Sequence, residues 1–73
     1  MTTFYYSFGD DFVSFHAYTK TADEARKVKD EIQSLAGSMI EQDGDFVYCM
    51  VDVLRFAEAC DELREAGCQT EEI

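Results

Sequence analysis

The chain has 73 residues, enough for one domain with a small core and too few for two. Its composition, 47% hydrophobic and 14% aromatic, excludes a disordered tail. Sixteen acidic against six basic side chains leave a formal net charge of −10. That excess opposes direct contact with a nucleic-acid backbone or an anionic membrane, because both are held mainly through Lys and Arg.

Taken in chain order, Phe4, Tyr6 and Phe8 alternate with Thr3, Tyr5 and Ser7. After Gly9-Asp10-Asp11, Val13, Phe15 and Ala17 alternate with Phe12, Ser14, His16 and Tyr18. Period-two alternation on both sides of a Gly/Asp turn predicts a hairpin. A helix is expected over 22–36: Thr21 and Glu24 form a capping box, and Ala25, Val28, Ile32 and Leu35 recur at helical spacing. Gly37 is expected to end it in the left-handed conformation. A second hairpin follows, with Ser38 to Gln42 before the turn Asp43-Gly44-Asp45 and Phe46 to Val53 after it. A second helix is expected from Leu54 to Ala66, with Phe56, Ala59, Cys60 and Leu63 on its apolar stripe and Gly67 at its end. Residues 69–73 read as a frayed tail.

The expected fold is therefore α+β in the order β-β-α-β-β-α, a single domain over 1–73. Its sheet is four-stranded and mainly antiparallel, with both helices packed on one face, the one large apolar surface available to them. A shift of 34 residues aligns Asp11-Phe12-Val13 with Asp45-Phe46-Val47, and Glu24-Ala25 with Glu58-Ala59. The chain thus reads as two hairpin-plus-helix units.

Chemistry-bearing motifs are sparse. Three cysteines without a CxxC spacing suit neither a disulfide framework nor a zinc site. Cys49 and Cys60 read as small buried hydrophobes, and Cys68 as partly exposed. The single histidine, His16, has no evident nucleophilic partner, and Asp43-Gly44-Asp45 lacks the ligand ladder of a calcium loop. The expectation is no enzyme, no cofactor and no metal. No apolar run approaches the roughly 18 residues of a membrane span, and MTTFYYSFGDD has no signal-peptide pattern, so a soluble cytoplasmic protein is expected.

Charge is uneven along the chain. Residues 1–40 hold six acids and four bases, a net of −2, whereas residues 41–73 hold ten acids and two bases, a net of −8. On the second helix Glu58, Asp61, Glu62 and Glu65 form an acidic ridge without interleaved lysines. Neighbouring carboxylates on a helix face lie about 5–6 Å apart, comparable with phosphates along a nucleic-acid strand. Asp10, Asp11, Asp43 and Asp45 at the hairpin tips, expected to cluster at one edge of the sheet, and Glu71 and Glu72 near the end broaden the negative field. The sheet face away from the helices is expected to show Tyr5, Phe12, His16, Tyr18, Phe46, Tyr48 and Met50, much aromatic surface to leave in water.

In its small size, surplus of acid, and α+β element order, the chain resembles phage-encoded inhibitors that mimic nucleic acid, above all small anti-CRISPR proteins. The resemblance implies a stoichiometric inhibitor without catalysis, docked on the basic DNA-binding channel of a CRISPR effector subunit or of another nucleic-acid-binding protein in a bacterial host. It would act as a monomer or weak homodimer. The competing expectation is an adaptor or self-associating domain that uses the aromatic sheet face.

Overall fold

In the computed structural model, which describes residues 1–73, β1 (Thr3–Phe8) and β2 (Phe12–Tyr18) form the first hairpin. Gly9 closes its turn by donating its N–H to the Phe12 carbonyl at 2.7 Å. The first helix, α1 (Ala22–Ile32), begins where expected, with Thr21 Oγ1 accepting from the Glu24 N–H at 3.1 Å. The reciprocal bond is shifted by one residue, since the Glu24 carboxylate accepts from the Lys20 N–H.

Helix α1 ends four residues before the expected boundary. Gln33 takes a positive φ of 60° and leaves the helix. Leu35, expected on the helical stripe, instead lies in a small hairpin of β3 (Ser34–Leu35) and β4 (Ser38–Met39). Ala36 and Gly37 form its two-residue loop, both at positive φ (49° and 84°), as a type I′ turn requires. The left-handed Gly37 is thus a hairpin residue, and the next four residues do not begin one continuous strand. β5 is confined to Glu41–Asp43, and Gly44, at φ 62°, starts the two-residue loop into β6 (Phe46–Asp52).

A 3-10 turn, Val53–Arg55, leads into α2 (Phe56–Glu65). Gly67, at φ 83°, closes α2 in a Schellman arrangement: the Cys68 N–H donates to Leu63 O at 2.9 Å and the Gly67 N–H to Arg64 O at 3.0 Å. That reversal aims the chain back along the sheet. Gln69–Glu72, read as a frayed tail, form β7, which pairs parallel to β1 from Thr3↔Gln69 to Tyr6↔Glu72. The free edge of β1 supplies partners for these backbone groups, so pairing rather than local pattern orders them.

The sheet is accordingly mixed and five-stranded, in the order β5-β6-β2-β1-β7, where four mainly antiparallel strands were expected. The α+β class, the two helices and the antiparallel centre stand. β2 and β6, each seven residues long, pair over their whole length about Phe15↔Cys49. The 34-residue relation holds for whole elements: β2 and β6 start at Phe12 and Phe46, and α1 and α2 at Ala22 and Phe56. The halves differ after their helices, where the first folds into the β3–β4 hairpin and the second adds β7.

Period two sorts the side chains cleanly between faces. Val13, Phe15 and Ala17 of β2, Val47, Cys49 and Val51 of β6, and Phe4 of β1 are buried beneath the helices. Ala25 of α1, Ala59 and Leu63 of α2, and Leu35, Ala36 and Ile40 complete one core of 13 residues, none of them charged. Phe56 packs among Tyr6, Phe8 and Phe15, with ring centroids 4.8–5.9 Å apart, and seals one end of that core.

Candidate functional site

Helix α2 and its ends carry the four acids of the expected ridge, and three of them are engaged within the chain. Arg55 forks onto Glu58 through Nε and Nη2 at 3.1 and 2.6 Å. Arg64 reaches Asp61 at 3.0 Å. Both contacts have i, i+3 spacing, so arginines provide the neutralisation that lysines do not. The hydrogen bonds that Arg55 donates to Glu58 hold its guanidinium further above its ordinary pKa. Glu62 turns toward the β3–β4 hairpin, where its Oε1 and Oε2 accept from the Ala36 N–H at 2.8 and 3.1 Å. Glu62 therefore anchors a strained turn to α2. Glu65 lines a shallow cleft of about 390 Å³ with Glu31 and Glu62, between the end of α1 and α2.

The hairpin tips do not cluster. β2 and β6 run antiparallel, so Asp10 and Asp11 lie beside the end of β6, where the Val53 N–H donates to Asp11 O at 3.0 Å. Asp43 and Asp45 lie at the other end, where the Thr19 N–H donates to Asp45 O at 2.9 Å. The seven-residue β2 separates them, a span of about 20 Å at some 3.3 Å per residue. Glu71 and Glu72 are split between the two faces by the alternation of β7. Glu71 pairs with Tyr5 on the open side, and Glu72 with Tyr6 on the helix side.

No helix covers the open face. Tyr18 is 66% exposed, Met50 57%, Phe12 49%, Tyr48 40% and Tyr5 38%, whereas the equivalent positions on the other face are buried. Phe46 and His16 are half-buried among them. The strand register places Glu41, Tyr48, His16, Tyr5 and Glu71 in one row across all five strands. A neighbouring row runs Asp43, Phe46, Tyr18. Their rings form a connected surface: Tyr18–Phe46 and Phe46–Tyr48 centroids lie 4.8 and 5.3 Å apart, and His16 lies 5.7–6.0 Å from Phe46, Tyr5 and Tyr18. Phe12 stands apart at the far end, paired with Asp52, an acid that sequence reasoning missed although it shares the parity of Phe46, Tyr48 and Met50.

The bases all lie outside the strands. Lys20 precedes α1, Arg26, Lys27 and Lys29 lie within it, and Arg55 and Arg64 flank or belong to α2. No strand carries a lysine or arginine. All three ion pairs, including Arg26–Asp23, sit on the helical side. Glu41, Asp43 and Glu71 on the open face therefore have no cation on their own elements.

His16 and Cys49 occupy adjacent strands but opposite faces, so they form no nucleophile–base pair. Burial raises the thiol pKa of Cys49, with Glu41 and Glu62 acting in the same direction, and burial likewise raises those of Cys60 and Cys68. No group of three or more His, Cys, Asp and Glu side chains is placed to hold a metal ion. What fold and site define together is an α+β domain with one covered sheet face and one open aromatic face rimmed by carboxylates. Comparison with protein-family models, with curated proteins and with solved structures finds no match to this chain.

Proposed function

We propose that this protein is a non-catalytic inhibitor that occupies the basic nucleic-acid-binding surface of another protein. It presents carboxylates where the nucleic acid would present phosphates. The resemblance to small anti-CRISPR proteins makes a CRISPR effector subunit the target class. One observation carries the reading: no strand holds a lysine or arginine, while the open sheet face and its rim hold carboxylates outside every ion pair of the chain. Such a charge distribution selects a basic partner and steers it on approach. It relocates the contact surface from α2, whose acids are largely engaged, to the sheet.

The aromatic face that suggested an adaptor belongs to the same surface, so one interface accounts for both features. The test is displacement of labelled target DNA from a panel of purified CRISPR effector complexes, followed by fluorescence anisotropy. Stoichiometric release of DNA from one complex, weakening steeply between about 50 and 200 mM salt, is expected. Full retention of DNA by every complex at low salt defeats the reading.

A further inference from the structure

The layout of the open face specifies the chemistry that can cover it. Tyr48, His16 and Tyr5 make a continuous aromatic floor, closed at its two ends by Glu41 and Glu71. Tyr18 and Phe46 widen that floor, with Asp43 beside them. At about 4.8 Å per strand the row spans roughly 19 Å, so a ligand lying across it meets rings in the middle and carboxylates at either end. Resting on the inhibitor reading, we infer that this face takes arginine side chains from a polypeptide segment of the partner. The guanidinium planes lie on the tyrosine rings and donate to Glu41, Asp43 and Glu71.

Three observations favour arginine over other occupants. Exposed rings attract a cation through their negative faces, and a guanidinium, planar and weakly hydrated, stacks there at less cost than a compact, strongly hydrated ammonium. Carboxylates at the margin match the two parallel donors of the guanidinium fork. A second copy of this chain fits poorly. It brings the same acids and no strand-borne cation, so face-to-face pairing sets carboxylates of two chains of charge −10 against one another.

The experiment titrates the whole chain at low salt with amidated hexa-arginine and hexa-lysine peptides of matched charge, reading the aromatic and backbone resonances by NMR. Hexa-arginine should perturb Tyr5, His16, Tyr18, Phe46 and Tyr48 and bind at least about fivefold tighter than hexa-lysine. The double variant Tyr18→Ser, Tyr48→Ser should lose that preference, leaving both peptides equally weak. Because these tyrosines are exposed, folding is checked by circular dichroism. The near-isosteric pair Glu41→Gln, Glu71→Gln, which leaves the rings in place, should weaken both peptides by about threefold or more.

Equal affinity for the two peptides overturns the inference, as does an arginine preference that survives the tyrosine variant or shifts confined to α1 and α2. A homodimer abolished by the tyrosine variant in sedimentation equilibrium overturns it too, and assigns the face to a second copy. The DNA-displacement assay separates the two proposals. Displacement without arginine preference defeats this inference alone, and arginine preference without displacement from any effector defeats the inhibitor reading alone.

Discussion

The two faces of the sheet are built from the same strands and differ in almost every physical respect. On the helix side, Val13, Phe15, Ala17, Val47, Cys49 and Val51 are buried, and α1 and α2 carry Arg26, Lys27, Lys29 and Arg64. On the open side, the alternate residues include Tyr5, Phe12, His16, Tyr18, Phe46 and Tyr48 with Glu41, Asp43 and Glu71, and no strand contributes a base. A protein under selection only for folding would have little use for so many exposed rings, since burying apolar area is what stabilises a small domain. The contrast teaches that stability and recognition are divided between faces, and variants on either side should show it.

The largest effect is expected under the helices. Leu63 is fully buried on α2, so Leu63→Ala should cost about 2–5 kcal/mol in urea or guanidinium denaturation. For so small a domain, that loss removes much of the folded population. A cost below about 0.5 kcal/mol would mean that α2 does not anchor the core. Gly37→Ala should have an intermediate effect, about 1–2 kcal/mol, because φ there is +84° and the added methyl would approach the Arg55 guanidinium to 3.0 Å. On the open face, Tyr18→Ser should shift stability by less than about 1 kcal/mol, with its effect appearing in partner binding instead. A Tyr18→Ser variant as unstable as Leu63→Ala would erase the distinction between the faces.

A smaller effect tests the same division through ionisation. The thiols of Cys49, Cys60 and Cys68 have folded pKa values raised by burial. In the unfolded chain they ionise at their ordinary pKa of 9.0, so above that pH the unfolded state binds fewer protons than the folded one. Stability from this source is therefore complete below pH 9 and declines as pH rises through the folded values. Alkylation by iodoacetamide at pH 8 should be slowest at Cys49, the most buried of the three, and become uniform in denaturant. Rapid native-state modification of Cys49 would contradict its placement beneath the helices.

Strand faces were legible in the sequence because alternation sets them locally: Phe12 to Tyr18 and Phe46 to Asp52 declared both the buried side and the open aromatic side. What lay beyond local pattern depended on partners distant in sequence. Gln69-Thr70-Glu71-Glu72 is polar and unremarkable alone, and becomes a strand because β1 offers an edge after Gly67 reverses the chain. Leu35 continued the helical spacing, yet Gln33 and the Ala36-Gly37 turn divert it into a hairpin that Glu62 holds from α2. The acids of α2 were visible as a ridge, whereas their engagement followed from two arginines at i, i+3 and from that hairpin.

The central claim, that the open face rather than α2 meets the basic partner, is tested most directly by two triple charge reversals with an identical change in net charge. One is Glu41→Lys, Asp43→Lys and Glu71→Lys, and the other Glu58→Lys, Asp61→Lys and Glu65→Lys. Both are first shown folded by circular dichroism, then titrated in the DNA-displacement assay at low salt. The open-face triple should lose potency by about tenfold or more, while the helix triple stays within about threefold of the parent. The opposite ranking, with the helix triple inactive and the open-face triple intact, would contradict the account and return the site to the ridge on α2.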